Sequence, residues 1–314
     1  MDVLTFGESM ISFSLTQNEF AFSNQANVSV AGAESNVAIA LARLGHKVKW
    51  VSRLGDDPFG DKILYELNGQ RVDTTGVTID PNNHTGLMFK IKNALLGTEV
   101  IYYRSESAAT KLSKDDIKSE WIKQAKIVHI TGITPSLSDS CHQLVLEVMK
   151  LAKKYNKVVS FDPNIRLKLW NVQEAKEKIL PLLKGCDIFF PGLDELRLLL
   201  EVQKIEEAKP ILEKWGIKVT IVKDSANGAW LLNHGTSTFI PAFQVDHVVD
   251  EVGAGDAFAA GFLHGFLQKE KPEVCVKFGH ALAAFAISVE GDTKGLPTKK
   301  EFDFFWNKDQ STRR

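Results

Sequence analysis

Short apolar runs alternate with longer stretches of helical spacing along most of this chain. Val3–Phe6, closed by Gly7, predicts a buried strand. Val37, Ala38, Leu41 and Leu44 recur at helical spacing, so Ala33–Leu44 predicts a helix that Gly45 stops. Val48–Leu54 predicts a strand and Pro58–Leu67 a helix, with Pro58 suited to the first turn. The alternation continues with strand Ile127–Thr131, helix Ser138–Tyr155, strand Val158–Phe161, helix Val172–Leu183 and strand Ile188–Phe190. A helix before Trp215 leads into strand Val219–Val222, and two apolar helices, Ala254–Leu267 and Pro272–Val289, follow Pro241. Strands alternating with helices predict βαβ units: a doubly wound α/β fold, its sheet mostly parallel with helices on both faces.

Two stretches break this rhythm. Phe13–Val30 holds short β-rich pieces, and Thr85–Arg104 holds Leu87–Ile91 and Val100–Tyr103, joined near Asn93–Gly97. Neither could bury a core alone. They predict a small β-sheet lid (13–31 and 85–105) beside the ligand-binding edge of an α/β body (1–12, 32–84 and 106–314), or a sheet contact between subunits; the alternative is a pair of surface hairpins.

Composition narrows the classes. The 314 residues are 44% hydrophobic, and 38 basic side chains against 39 acidic ones leave a net charge of -1. That argues against nucleic-acid binding driven by bulk positive charge. Cys141, Cys186 and Cys275 are too scattered for a disulfide framework or a C-x-x-C site, which suits a reducing compartment. No basic segment followed by an apolar run opens the chain, and no apolar run approaches 18 residues. The expectation is a cytoplasmic protein with no membrane or nucleic-acid partner.

The sharpest chemical signal is Asp250-Glu251-Val252-Gly253-Ala254-Gly255-Asp256, which runs into an apolar helix. Small residues let the backbone curl and present N–H groups at the positive end of the helix dipole, where an anion binds. Asp256 places a carboxylate beside that anion site. An anion site next to a general base is what phosphoryl transfer to a hydroxyl needs. A second signal, Ala31-Gly32-Ala33-Glu34-Ser35-Asn36, opens the first long helix; Gly32 and Ala33 allow close approach, and Asn36 both donates and accepts. There is no P-loop, no G-x-G-x-x-G after the first strand and no zinc motif.

Together, Gly32-Ala33 with Asn36 and Gly253-Ala254-Gly255-Asp256 resemble the two signatures of the ribokinase-like sugar kinases, the PfkB family. Ala38–Gly45, Arg53–Asp57 and Lys223–Ala229 extend the resemblance over almost the whole chain. Within the family, Tyr102-Tyr103-Arg104, Thr131–Pro135, Asp162–Arg166 with Leu169-Trp170, and Gly291-Asp292 resemble the 2-keto-3-deoxygluconate kinases.

The resemblance implies transfer of the ATP γ-phosphoryl group to the 6-hydroxyl of 2-keto-3-deoxy-D-gluconate. It assigns Asp256 as base and Gly253, Ala254 and Gly255 as the anion hole. Gly32, Ala33, Asn36, Met88, Tyr102, Arg104, Ile133, Arg166 and Asp292 would contact the sugar, with Arg104 and Arg166 at its carboxylate. Asn164, Lys223, Ser225, Gly228, Ala229 and His280 would line the nucleotide side. Glu195 would act on Mg²⁺ through water, a monovalent cation such as K⁺ is admitted, and the β-lid would join a homo-oligomer.

Five positions depart from the family pattern. Glu251 replaces a usual Thr, Met88 a Tyr, Gly192 an Asn, Ser225 a Gly and His280 an Asn. The alternatives are the same chemistry on fructose, 5-keto-2-deoxygluconate or ribose, and a non-catalytic sugar- or nucleotide-binding protein on a kinase fold. A nicotinamide-dependent dehydrogenase is disfavoured by the missing glycine fingerprint.

Overall fold

Val3–Phe6 is buried at every position because it is paired on both sides within a sheet covered on both faces. The computed structural model describes residues 1–15, 20–93, 97–233 and 235–312. The predicted junction near Asn93–Gly97 falls at 94–96, and part of Phe13–Val30 at 16–19, outside the described residues.

In chain order the strands are β1 (Val3–Phe6), β2 (Met10–Leu15), β3 (Ala26–Ala31), β4 (Val48–Val51), β5 (Arg53–Gly55), β6 (Thr78–Asp80) and β7 (Leu87–Asn93). They continue with β8 (Gly97–Tyr103), β9 (Ile127–Thr131), β10 (Val158–Asp162), β11 (Ile188–Phe189), β12 (Val219–Asp224), β13 (Gly228–Asn233) and β14 (Thr236–Pro241). The large sheet has the order β14-β13-β12-β11-β10-β9-β1-β4. From β4 to β12 every pair is parallel; β13 and β14 add an antiparallel hairpin at one edge. Alternate side chains feed opposite cores. Val3, Trp50 and Ile127 pack with helices Ala33–Arg43, Ala254–Leu267 and Pro272–Ile287. Leu4, Phe6, Val128 and Ile130 pack with Asp139–Lys154 and Val172–Leu183 on the other face.

The predicted strand Val48–Leu54 divides at Ser52, whose hydroxyl donates to the Gly7 carbonyl at 2.7 Å; β5 then pairs with β6 outside the main sheet. The β13–β14 hairpin, helix Leu193–Leu200 and helix Lys299–Thr312 were not expected. Strands β3-β2-β7-β8 form the separate four-stranded sheet, which begins at Met10 and not at Phe13. All three cysteines are buried and free. Among the described residues no helix is long and apolar enough to cross a membrane.

Candidate active site

The parallel strands end on one side, and chemistry-bearing residues collect just past those ends, where open α/β sheets bind ligands. Glu8 follows β1, Ile133 follows β9, Asn164 and Arg166 follow β10, Glu195 lies four residues beyond Pro191 in the turn after β11, and Asp162 and Lys223 stand at the ends of β10 and β12. The N-terminus of helix Ala254–Leu267 points to the same place. These groups line a cavity of about 400 Å³.

Its far wall is the four-stranded sheet. Pleating puts Met88 and Lys90 of β7 on one face, opposite Tyr102 and Val100 of β8, and all four line the cavity with Met10 and Ala31. The Met88 side chain packs with Met10 and Ala31, which makes this part of the wall apolar.

Asp256 is buried. Asn36 Nδ2 donates to its Oδ2 at 2.8 Å and to Asp292 Oδ2 at 3.3 Å. Burial pushes the Asp256 carboxyl up to about 7; the Asn36 bond and Arg166 oppose this, while Asp162 and Asp292 add to it. Lys223 Nζ pairs with Asp162 Oδ2 at 2.6 Å. Burial raises the Asp162 carboxyl against the pull of Lys223. Lys223 is itself held above the usual lysine range: burial pulls it down, and the charges of Asp162 and Glu195 outweigh that.

Gly253 caps the helix with φ +83, and a Cβ there would stand 2.7 Å from the Asp292 carbonyl oxygen. Only glycine meets both demands. Gly32 faces a comparable crowding: a Cβ would lie 2.5 Å from the Glu8 carbonyl oxygen.

Most of the residues singled out from the sequence meet at this cavity: Gly32, Ala33, Asn36, Met88, Tyr102, Arg104, Ile133, Asn164, Arg166, Glu195, Lys223, Gly253, Gly255, Asp256 and Asp292. Five do not line it. The Ala254 amide turns back to the Glu251 carbonyl at 3.3 Å. Ser225 sits exposed in the turn between β12 and β13, with φ +47. Gly228 and Ala229 belong to β13 and are buried against β14. His280 Nε2 bonds the Ile240 carbonyl at 3.1 Å, and its ring meets Phe258 edge-on. Ser225, Gly228 and Ala229 are taken up by the β13–β14 hairpin and the turn that leads into it, and His280 is held in helix Pro272–Ile287 against β14.

Glu195 holds backbone in place: its oxygens accept from Ile165 N and Gly192 N, both at 2.7 Å. Among the described residues no group of three His, Cys, Asp or Glu side chains could hold a metal ion by itself.

Sequence reasoning missed Glu8 and Lys90, and it gave Asp162 no role beyond membership of a motif. Glu8 is buried, accepts from Ser107 Oγ at 2.6 Å and ion-pairs with Arg104. Lys90 pairs with Asp292 at 2.7 Å. The strand alternation that pairs Lys90 with Met88 was available as a signal. Arg166, at the exposed rim, pairs with no carboxylate among the described residues, and the buried Arg104 Nε has no hydrogen-bond partner there.

A helix N-terminus beside a buried carboxylate, at the strand ends of a doubly wound sheet, is an arrangement suited to phosphoryl transfer. The pfkB family carbohydrate kinase model matches residues 1–299, and the chain belongs to that family. It is 36% identical over 310 residues to a 2-dehydro-3-deoxygluconokinase of Bacillus subtilis, covering 97% of this chain and 95% of the relative. It is 32% identical over 311 residues to fructokinase-1 of rice, Oryza sativa, with 95% of each chain covered. The crystal structure of a PfkB protein from Polaromonas sp. JS666 superposes with a TM-score of 0.88 at 33% identity, covering 96% of this chain and 99% of that one. The protein is a carbohydrate kinase with the ribokinase-like fold.

Proposed function

We propose that this kinase transfers the γ-phosphoryl group of ATP to the 6-hydroxyl of 2-keto-3-deoxy-D-gluconate, the substrate named by the Bacillus relative. The observation that carries the reading is the pair of arginines on the sugar side. Arg166 has no carboxylate partner among the described residues, and Arg104 keeps a buried Nε without an acceptor. A buried donor left unfilled is costly, and an acid sugar supplies the anion that fills it.

Asp256 accepts the hydroxyl proton as oxygen attacks phosphorus. Asn36 orients Asp256, and the buried Asn36 Oδ1, itself without a partner, takes a sugar hydroxyl. Gly253, Gly255 and the helix dipole face the charge on the transferring group. Lys223, held by Asp162, and Asn164 stand on the nucleotide side. Mg²⁺ carried by the nucleotide would be held through water by Glu195 and neutralise phosphate charge. The four-stranded sheet acts as a lid that excludes water, which otherwise competes as acceptor. Its exposed outer strand β8 offers the edge for a homo-oligomer. The cytoplasm is the compartment that suits three free cysteines.

A second reading has an observation of its own. Glu8 already compensates Arg104, which leaves less net positive charge for a carboxylate, and the rice relative is named a fructokinase. The same transfer to fructose is that reading. Substitution separates the two. Arg104→Ala and Arg166→Ala should each raise KM for the acid sugar roughly tenfold or more with KM for ATP unchanged, since a charge-assisted contact is worth about 1.5–3 kcal/mol. An unchanged KM in both variants contradicts the acid-sugar assignment.

A further inference from the structure

Lys90 belongs to the four-stranded sheet, yet its ammonium is buried, only 2% exposed. A buried ammonium is costly unless it is paired. The partner, Asp292 Oδ1 at 2.7 Å, comes from the α/β body, in the loop after helix Pro272–Ile287. The other Asp292 oxygen accepts from Asn36 Nδ2, the same atom that donates to Asp256. A single row of contacts thus runs from the small sheet to the acid–base group: Lys90, Asp292, Asn36, Asp256.

We propose that Lys90 is a positioning residue that couples the seating of the small sheet to Asp256, by neutralising and orienting Asp292, which shares Asn36 with it. The inference rests on reading Asp256 as the base. Seated, the sheet delivers a cation to Asp292 and leaves Asn36 directed at Asp256. Without that cation, two carboxylates compete for one amide, and such a pair retains a proton to higher pH.

Arg104, directly after β8, also lines the cavity and is compensated by Glu8 of the α/β body; the remaining charged groups around Asp256 do not depend on the small sheet. Asp162 at the end of β10 is paired by Lys223 from β12, Arg166 follows β10 and favours the anion, and Glu251 precedes the helix itself. Asp292 is the carboxylate whose effect is set by a residue of the small sheet.

The test is a ¹³C NMR titration of the full chain labelled at aspartate Cγ, without ligands, the Asp256 signal being assigned by its loss in Asp256→Asn. Lys90→Met should move the Asp256 midpoint upward by about one pH unit. Lys90→Arg should hold it within a few tenths of a unit of wild type. If the single variant folds poorly, Lys90→Met with Asp292→Asn removes both buried charges, and its midpoint should fall to the wild-type value or below. An unmoved midpoint in Lys90→Met, equal shifts in the Met and Arg variants, or a double variant whose midpoint stays high would overturn the coupling. Failure of the base reading shows elsewhere, as normal turnover in Asp256→Asn.

Discussion

Asn36 and Asp256 lie 220 residues apart in sequence and are joined by a 2.8 Å hydrogen bond at the centre of the cavity. The bond ties helix Ala33–Arg43 to helix Ala254–Leu267, and so joins the two sequence signatures.

Asp256→Asn should lower kcat by about 10²-fold or more with ATP binding nearly intact, because it removes the proton acceptor while leaving an oxygen for Asn36. In the wild type, kcat/KM should fall as pH drops through about 7, the value to which burial lifts this carboxyl. Stability runs the other way. The carboxyl pKa is raised from 3.8 to about 7 on folding, so between these values the folded state holds the extra proton. Its stabilising effect is full below pH 3.8 and lost as pH rises through about 7. Thermal unfolding should therefore show Asp256→Asn gaining on wild type toward pH 8, by up to about 4 kcal/mol, with no gain near pH 4.

Ser225→Gly should stabilise the protein by about 0.5–1 kcal/mol in urea unfolding. Ser225 holds φ +47, a left-handed conformation that costs a side-chain-bearing residue about 1–2 kcal/mol and glycine almost nothing. A destabilised glycine variant would mean that the serine side chain compensates its own strain.

Asp57→Ala should cost about 1–2 kcal/mol or somewhat more. Asp57 Oδ1 caps the helix Pro58–Gly69 through Phe59 N and Gly60 N, and Oδ2 accepts from Thr85 N at 2.8 Å, at the entry to β7. Burial raises this carboxyl, but the bonds from Thr85, Gly60 and Phe59 outweigh it and hold the pKa below 3.8. The contribution is thus present above pH 3.8 and lost as pH falls through the lower folded value. Equilibrium unfolding at pH 7 and at pH 3 should show the loss in the variant shrinking at the lower pH.

The order of the parallel sheet was legible because its strands are short apolar runs between helices of clear period. The β13–β14 hairpin was not. Lys223–Ala229 is read from the resemblance as a nucleotide-side motif, while Ala229 and Trp230 already belong to a strand. Asp256, Asn36 and the two arginines were legible from motif and residue type. Glu8 and Lys90 were not, because periodicity places a side chain on a face without naming the charge that meets it. Lys90 and Asp292 pair across 202 residues, a contact that only the packed small sheet creates.

The acid-sugar assignment is tested most directly by ADP release with Mg·ATP across 2-keto-3-deoxygluconate, gluconate, fructose, ribose and 5-keto-2-deoxygluconate. The account predicts that kcat/KM for 2-keto-3-deoxygluconate exceeds that for each neutral sugar at least tenfold, and that the preference collapses in Arg166→Ala. Equal or greater kcat/KM with fructose or ribose would contradict it.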